Sequence, residues 1–161
     1  MTNPTPRVLI IAGSDSSGGA GIQADIKTCA AFGVYSATAI TAVTAQNTLG
    51  VQRVEALSAD LVKTQIESVL SDIGADVIKI GMLANAEIVG VVADAIDAHD
   101  EVITVVLDPV LVATSGDKLL ADDALSAMKD RLLPMADVIT PNTYEAEILT
   151  GIKVEEAADM A

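Results

Sequence analysis

The feature that most constrains the fold of this chain is a regular alternation of short β-branched apolar runs with longer stretches of helical periodicity. Short apolar runs bounded by turn residues are typical of buried strands, and apolar residues at helical spacing are typical of amphipathic helices. Strands that alternate with helices favour right-handed crossovers and a parallel sheet. We therefore predict an α/β fold, in which a doubly wound, mostly parallel sheet carries helices on both faces.

The predicted elements follow one another along most of the chain. Alternation and β-branched content predict strands at residues 7–12, 36–44, 76–80, 101–107 and 137–140. Caps, helical spacing and stop residues predict helices at residues 19–32, 58–73, 85–96, 121–133 and 142–150. Residues 154–161 carry the acidic side chains that are typical of the first turn of a further helix.

Composition narrows the classes of partner. The 161 residues include 23 acidic and 9 basic side chains, which gives a formal net charge of −14. Nucleic acids and anionic membrane surfaces attract clustered Lys and Arg, so we predict neither as a partner. Cys29 and His99 are the single cysteine and histidine, which excludes an intramolecular disulfide, a cysteine-based zinc site and a histidine cluster. The length corresponds to about one domain, and we expect a cytoplasmic protein.

Glycine, proline, amide and acidic residues cluster where the predicted strands end. In doubly wound sheets, ligands bind beyond the carboxyl ends of the strands. Turns also require these residue types, so the clusters alone do not separate a binding site from ordinary turn chemistry. The clusters are residues 13–21, 45–47, 81–82, 108–109 and 141–145.

The first of these loops, residues 13–21, connects a predicted strand to a predicted helix. Backbone N–H groups in such a position bind anions or polar ligand groups. A phosphate-binding P-loop is excluded because Gly19 stands where that motif needs lysine. Gly19, Gly21 and Ala24 fit a loose dinucleotide fingerprint, but the acid that a nicotinamide-dependent oxidoreductase needs about 20 residues later is missing. A closely packed turn without a ligand is the alternative.

Three side chains near the strand ends, one acid, one amide and one thioether, could contact a small ligand. Asp25, about one turn into the first helix, could accept hydrogen bonds from a hydroxyl or amine, or be a solvated helix acid. The amide of Gln46 suits an uncharged heterocycle, or it serves a turn. Met82 could pack on a flat ring, although buried methionine is usually core filler.

Three further residues could position a metal ion or phosphate. Asp108 ends a predicted strand, which is a usual place for a metal-steering carboxylate and also for a turn. Asn142 is a good helix N-cap, and Glu145 completes a capping-box pair with it. The functional alternative is that this pair positions Mg²⁺ through water, together with phosphate groups.

Six segments in this order resemble the hydroxymethylpyrimidine/phosphomethylpyrimidine kinases of thiamine biosynthesis, within the ribokinase-like family. The resemblance extends over essentially the whole chain, and the first two segments are highly specific in combination. Pyridoxal kinases are relatives of that family. The segments are AGSDSSGGAGIQADIKT at 12–28, TAVTAQNT at 41–48, KIGML at 79–83, LDPV at 107–110, ATSG at 113–116 and TPNTYEA at 140–146.

The resemblance implies a function for each of these candidate residues. It implies ATP and Mg²⁺ as cofactors, and in-line transfer of the γ-phosphoryl group to the hydroxymethyl oxygen of an aminopyrimidine and then to its monophosphate. Asp108, Asn142 and Glu145 would position Mg²⁺ and the ATP phosphates. The implied pyrimidine pocket consists of Gly13, Asp25, Gln46, Met82 and Val110.

The chain also departs from the family pattern. Family members are longer and carry a later Lys-Gly-Gly strand and a G-T-G-[CD] loop, which supplies the oxyanion hole and the catalytic base. Neither occurs here, so we expect residues 1–161 to be a single incomplete domain with the base beyond Ala161. We expect such a chain to be inactive and marginally stable or aggregating, and the full-length protein to be a homodimer. The alternatives are a non-catalytic pyrimidine-binding fragment and a pyridoxal-type kinase.

Overall fold

The computed structural model describes residues 4–99, 102–111, 122–154 and 159. The elements alternate as the sequence predicts, apart from one additional strand, β3. The strands are β1 Arg7–Asp15, β2 Tyr35–Asn47, β3 Gly50–Ala56, β4 Val77–Ile80, β5 Thr104–Leu107 and β6 Val138–Ile139. The helices are α1 Gly21–Ala31, α2 Ala59–Asp72, α3 Ala86–Asp97, α4 Asp122–Ala127 and α5 Thr143–Thr150.

The sheet has six strands in the order β3-β2-β1-β4-β5-β6. Five of them are parallel, and β3 pairs antiparallel with β2. The predicted mostly parallel α/β fold is therefore confirmed. The prediction did not include β3, whose central residues are polar and exposed. An edge strand with both faces near solvent has no hydrophobic pattern to reveal it.

Helices cover both faces of this sheet. On one face, Leu9 and Ile11 of β1 belong to a large buried cluster with residues of α2, α3 and α4. On the other face, Ile10 and Ala12 pack with Ile22 of α1. Alternate residues of β1 thus face opposite layers, as the period of a strand buried on both sides requires.

Several element boundaries differ from the prediction. Strand β1 continues to Asp15, and α1 begins only at Gly21, so Gly13 lies in a strand rather than in a loop. Helix α4 continues into a π-helical turn at Met128–Leu132, and Pro134 lies in a following 3₁₀ turn. Residues 101 and 121, where two predicted elements begin, lie outside the described residues. Most of residues 154–161 and the segment 113–116 also lie outside them.

The connections place a topological switch point between β1 and β4. From β1 the chain crosses through α1 to β2 on one side, whereas β4 lies on the other side of β1 and continues through α3 to β5. Where neighbouring crossovers diverge in this way, the carboxyl ends of the two strands flank the usual ligand-binding crevice. Gly13, Lys79 and Met82 all lie near this point.

Candidate functional site

The first loop is organised around the carboxylate of Asp15, which is 4% exposed. It accepts hydrogen bonds from the backbone N–H groups of Ser17 at 2.8 Å, Gly19 at 3.0 Å and Ala20 at 2.8 Å, and from the Ser17 hydroxyl. Burial raises the pKa of Asp15, but these hydrogen bonds outweigh it and leave the pKa below its usual value. These three donors therefore bind the protein's own carboxylate, and ligand contact by the rest of the loop stays a prediction.

Gly13 and Met82 are in close contact at the switch point. A Cβ atom on Gly13 would lie 3.2 Å from the Met82 sulfur, and the Met82 side chain is almost buried. The Thr41 hydroxyl donates to the Met82 carbonyl at 2.6 Å, which fixes the backbone after β4. Two residues of the predicted pocket are thus adjacent in space although 69 positions separate them in the sequence.

Gln46, near the end of β2, is tied to the first loop by two hydroxyl groups. The Ser16 hydroxyl accepts from the Gln46 N–H and donates to its carbonyl, each at 2.9 Å. The buried Thr44 hydroxyl lies 3.1 Å from both the Gln46 side-chain oxygen and the Ser14 carbonyl. This arrangement orients the Gln46 amide with its oxygen toward the protein.

Two acidic candidates share one ammonium group. Lys79 Nζ lies 3.0 Å from Asp25 Oδ2 and 3.5 Å from Asp108 Oδ2. The three side chains are between 23% and 34% exposed, so solvent screens them less than it screens surface pairs. The structure therefore brings the acid predicted to hold substrate next to the acid predicted to position phosphate.

Asn142 and Glu145 form a complete capping box at the start of α5. The Asn142 side-chain oxygen accepts from the Glu145 N–H at 2.9 Å, and the Glu145 carboxylate accepts from the Asn142 N–H at 2.9 Å. The pair follows β6, whose neighbour β5 ends one residue before Asp108. The capping function that the sequence allowed is thus present, and it leaves one Glu145 carboxylate oxygen outside the box.

Val110 lies close to the same strand ends, where its backbone N–H donates to the Asp108 carbonyl at 2.8 Å. Cys29 lies half-buried in α1 and packs against the apolar cluster on that face. Burial and the nearby negative charge of Asp25 raise the pKa of the Cys29 thiol. This environment is the opposite of the one that activates a nucleophilic cysteine.

Sequence reasoning overlooked Lys79 as a site residue. The signal was available, because a lysine in the apolar strand VIKI at 77–80 is unusual for a central parallel strand. Its two partners lie 54 and 29 positions away, so only the fold shows the pairing.

Within the described residues, no group of three or more His, Cys, Asp or Glu side chains could hold a metal ion, and no helix is long and apolar enough to span a bilayer.

A doubly wound sheet with polar and acidic side chains gathered at its switch point defines a class of α/β proteins that bind small ligands beyond the strand ends. The family model for phosphomethylpyrimidine kinase matches residues 15–161. The chain therefore belongs to the phosphomethylpyrimidine kinase family, and the resemblance predicted from its motifs is confirmed.

Known relatives agree with this assignment. The hydroxymethylpyrimidine/phosphomethylpyrimidine kinase of Haemophilus influenzae is 54% identical over 148 residues, which make up 92% of this chain and 55% of that kinase. The crystal structure of phosphomethylpyrimidine kinase from Clostridium difficile 630 matches with a TM-score of 0.89 and 46% identity, covering 97% of this chain and 67% of that one. The chain thus spans little more than half the length of the curated bacterial kinase.

A pyridoxal kinase is also similar in structure. The pyridoxal kinase from Staphylococcus aureus in complex with AMP-PCP and pyridoxal matches with a TM-score of 0.84 and 38% identity. The match covers 98% of this chain and 56% of that one. The fold of the chain is therefore shared by kinases with different small-molecule substrates, and its own residues must decide between them.

Proposed function

We propose that this chain forms the pyrimidine-binding part of a hydroxymethylpyrimidine/phosphomethylpyrimidine kinase. The reaction would transfer phosphoryl groups from ATP to 4-amino-5-hydroxymethyl-2-methylpyrimidine and then to its monophosphate. The observation that carries this proposal is the juxtaposition of Asp25 and Asp108 at one ammonium, because a substrate hydroxyl bound by the first acid would lie near a phosphate positioned by the second. Membership of the kinase family supports the same reaction class.

In this proposal the pocket recognises the pyrimidine by both shape and hydrogen bonding. Met82 and Val110 offer apolar surfaces to the ring, and Gly13 lets the ring approach the backbone closely. The side-chain NH₂ group of Gln46 donates to a ring nitrogen, and the backbone at Gly13 pairs with the amino group. Asp25 accepts a hydrogen bond from the hydroxymethyl group, which places its oxygen toward Asp108.

The phosphate side of the site would use Asp108, Asn142 and Glu145. Carboxylate and amide oxygens are the ligands that Mg²⁺ prefers. Lys79 pairs with Asp108 through Oδ2, and the capping box uses Oε2 of Glu145. Bound Mg²⁺ would neutralise charge on the ATP phosphates. The proposal assigns no catalytic base within residues 1–161. A cytoplasmic location and a homodimer of the full-length protein stay predictions.

The first test is calorimetric titration of the chain with 4-amino-5-hydroxymethyl-2-methylpyrimidine and, separately, with pyridoxal. We expect saturable binding of the pyrimidine and weaker binding of pyridoxal. Gln46→Ala should weaken pyrimidine binding by about tenfold, since it removes hydrogen bonds in a desolvated pocket. Gln52→Ala is the matched control, because Gln52 bonds only within the β2–β3 hairpin among the hydrogen bonds described for it.

Pyridoxal phosphorylation is the second candidate, favoured by the similarity to the S. aureus pyridoxal kinase. Tighter binding of pyridoxal than of the pyrimidine would support it and contradict the first proposal. Binding of neither compound would contradict both.

A further inference from the structure

Lys79 is placed by the sheet itself rather than by a flexible loop. It lies in β4, between Ile10 of β1 and Val106 of β5 in the strand register. Ile10 belongs to the face covered by α1, so Lys79 projects toward the same layer. Asp25 occupies the first turns of that helix, which explains how a lysine of a central strand reaches it.

The space around the Lys79 ammonium is narrow. A Cβ atom on Gly81 would lie 3.2 Å from Nζ and 3.1 Å from the Cβ of Ala12. The absence of a side chain at Gly81 therefore leaves room for the ammonium at the end of β4. From this position it reaches a carboxylate on each side, Asp25 at 3.0 Å and Asp108 at 3.5 Å.

Lys79 supplies a positive charge between two acidic side chains, Asp25 and Asp108. Without it, two half-buried carboxylates would face each other across the crevice, and like charges in a poorly solvated place repel strongly. The ammonium donates a hydrogen bond to Asp25 Oδ2 and forms a longer ion pair with Asp108 Oδ2. The hydrogen bond restricts the orientation of the Asp25 carboxylate, and the ion pair keeps Asp108 nearby.

We propose that Lys79 is the positioning residue of the site: it holds Asp25 in the orientation that accepts the substrate hydroxyl and keeps Asp108 beside it. This inference rests on the proposed function, and it assigns Lys79 no contact with the reacting atoms. It predicts that loss of Lys79 harms recognition of the hydroxyl group specifically, whereas contacts to the pyrimidine ring are preserved.

The test compares two ligands that differ at one group. The chain is titrated with 4-amino-5-hydroxymethyl-2-methylpyrimidine and with 4-amino-2,5-dimethylpyrimidine, which has a methyl group in place of the hydroxymethyl group. In Lys79→Met, we expect about a tenfold loss of affinity for the first ligand and little change for the second. Lys63→Met, which breaks a surface pair with Glu67 on α2, should change neither affinity. Circular dichroism checks that each variant is folded.

A double-mutant cycle then tests the route of the effect. Asp25→Asn alone should reduce the preference for the hydroxymethyl ligand, and Lys79→Met on that background should reduce it little further. The urea midpoints of the same variants should also be non-additive, because the two residues form one pair. Equal weakening of both ligands by Lys79→Met, or additive effects in the cycle, would overturn the positioning role.

The outcomes separate this inference from the proposed function. If the unaltered chain binds neither pyrimidine, the proposed function fails and the positioning role fails with it, whatever the urea midpoints show. If it binds both but Lys79→Met leaves the affinity ratio unchanged, the proposed function stands and only the positioning role is refuted.

Discussion

Among the glycines that the structure describes, Gly21 is the one whose replacement the backbone tolerates least. Its φ of +55° lies in the left-handed region, and a Cβ atom there would collide with the Gly13 carbonyl oxygen. Two penalties thus coincide, one from the conformation and one from the overlap with rigid backbone. The close approach of α1 to β1 depends on this position.

We expect Gly21→Ala to lower the free energy of unfolding by about 3 kcal/mol or more, measured by urea denaturation. Gly33→Ala is the matched control, because Gly33 has a φ of +69°, but its would-be Cβ meets no described residue within 4 Å beyond its own chain neighbours. It should cost only about 1 kcal/mol, the conformational penalty alone. Equal losses in the two variants would show that the overlap at Gly13 is relieved without cost.

Cys29 reports on the electrostatics of the same helix. Burial, followed by the negative charge of Asp25, raises the pKa of the thiol, so a smaller fraction is thiolate at neutral pH. We expect Cys29 to react with iodoacetamide more slowly than a free cysteine at pH 8. Asp25→Asn should increase the rate by about twofold, since it removes the smaller of the two causes. A rate unaffected by Asp25→Asn would contradict the contribution of that charge.

At the scale of elements, Asn142 caps helix α5 and is also proposed to position phosphate, and the stability that the cap provides can be measured by itself. Asn142→Ala removes the side-chain acceptor for the Glu145 N–H and should lower the unfolding free energy by about 1 kcal/mol in urea denaturation. Asn142→Ser should preserve most of that stability, because serine is an equally good N-cap. A loss as large for serine as for alanine would mean that the amide contributes more than a cap.

How much of each element the sequence revealed depended on its burial. Strands β1 and β4 and helices α2 and α3 were predictable because their apolar residues follow a regular period into the core. The polar edge strand β3 lacks that period and was missed. Strand β1 also extends three residues further than predicted, since Ser14 and Asp15 continue its pairing with β2 through hydrogen bonds that composition does not reveal.

The candidate site was predictable residue by residue but not as an arrangement. Motifs identified Gly13, Met82, Asp25 and Asp108, whereas the pairing of the two acids through Lys79 depends on the order of β1, β4 and β5. The hydrogen bonds from the loop N–H groups to Asp15 were likewise not predictable, because a glycine- and serine-rich sequence is the same whether those groups face a ligand or a carboxylate. The contributions of these residues to substrate binding stay predictions.

At the scale of the whole molecule, unfolding at acid pH tests how much hydrogen-bonded carboxylates contribute to the stability of the fold. Asp15 in the first loop and Asp76 before β4 both have lowered pKa values. For Asp76, hydrogen bonds from the side chain and the backbone of Arg7 are the main causes, and they join the start of β1 to the start of β4. The Asp76 carboxylate therefore connects two segments that are far apart in the sequence, whereas the Asp15 carboxylate holds its own loop together.

A group whose pKa is lower in the folded than in the unfolded state stabilises the fold above its unfolded value of about 4 and loses that effect as pH falls through the folded value. We therefore expect the urea midpoint of the chain to fall steeply below about pH 4. At pH 7, Asp15→Asn should cost about 1–3 kcal/mol, because a neutral amide accepts the loop hydrogen bonds less well.

The decisive quantity is the difference between the chain and Asp15→Asn across pH. With a net charge of −14, protonation of other carboxylates also changes stability, but that contribution is nearly the same in both proteins and cancels in the difference. We expect the difference in unfolding free energy to be constant from pH 7 to about pH 5 and to narrow as the pH falls through the lowered pKa of Asp15. A difference that does not depend on pH would mean that the loop is held by Asp15 as a polar side chain and not by its charge.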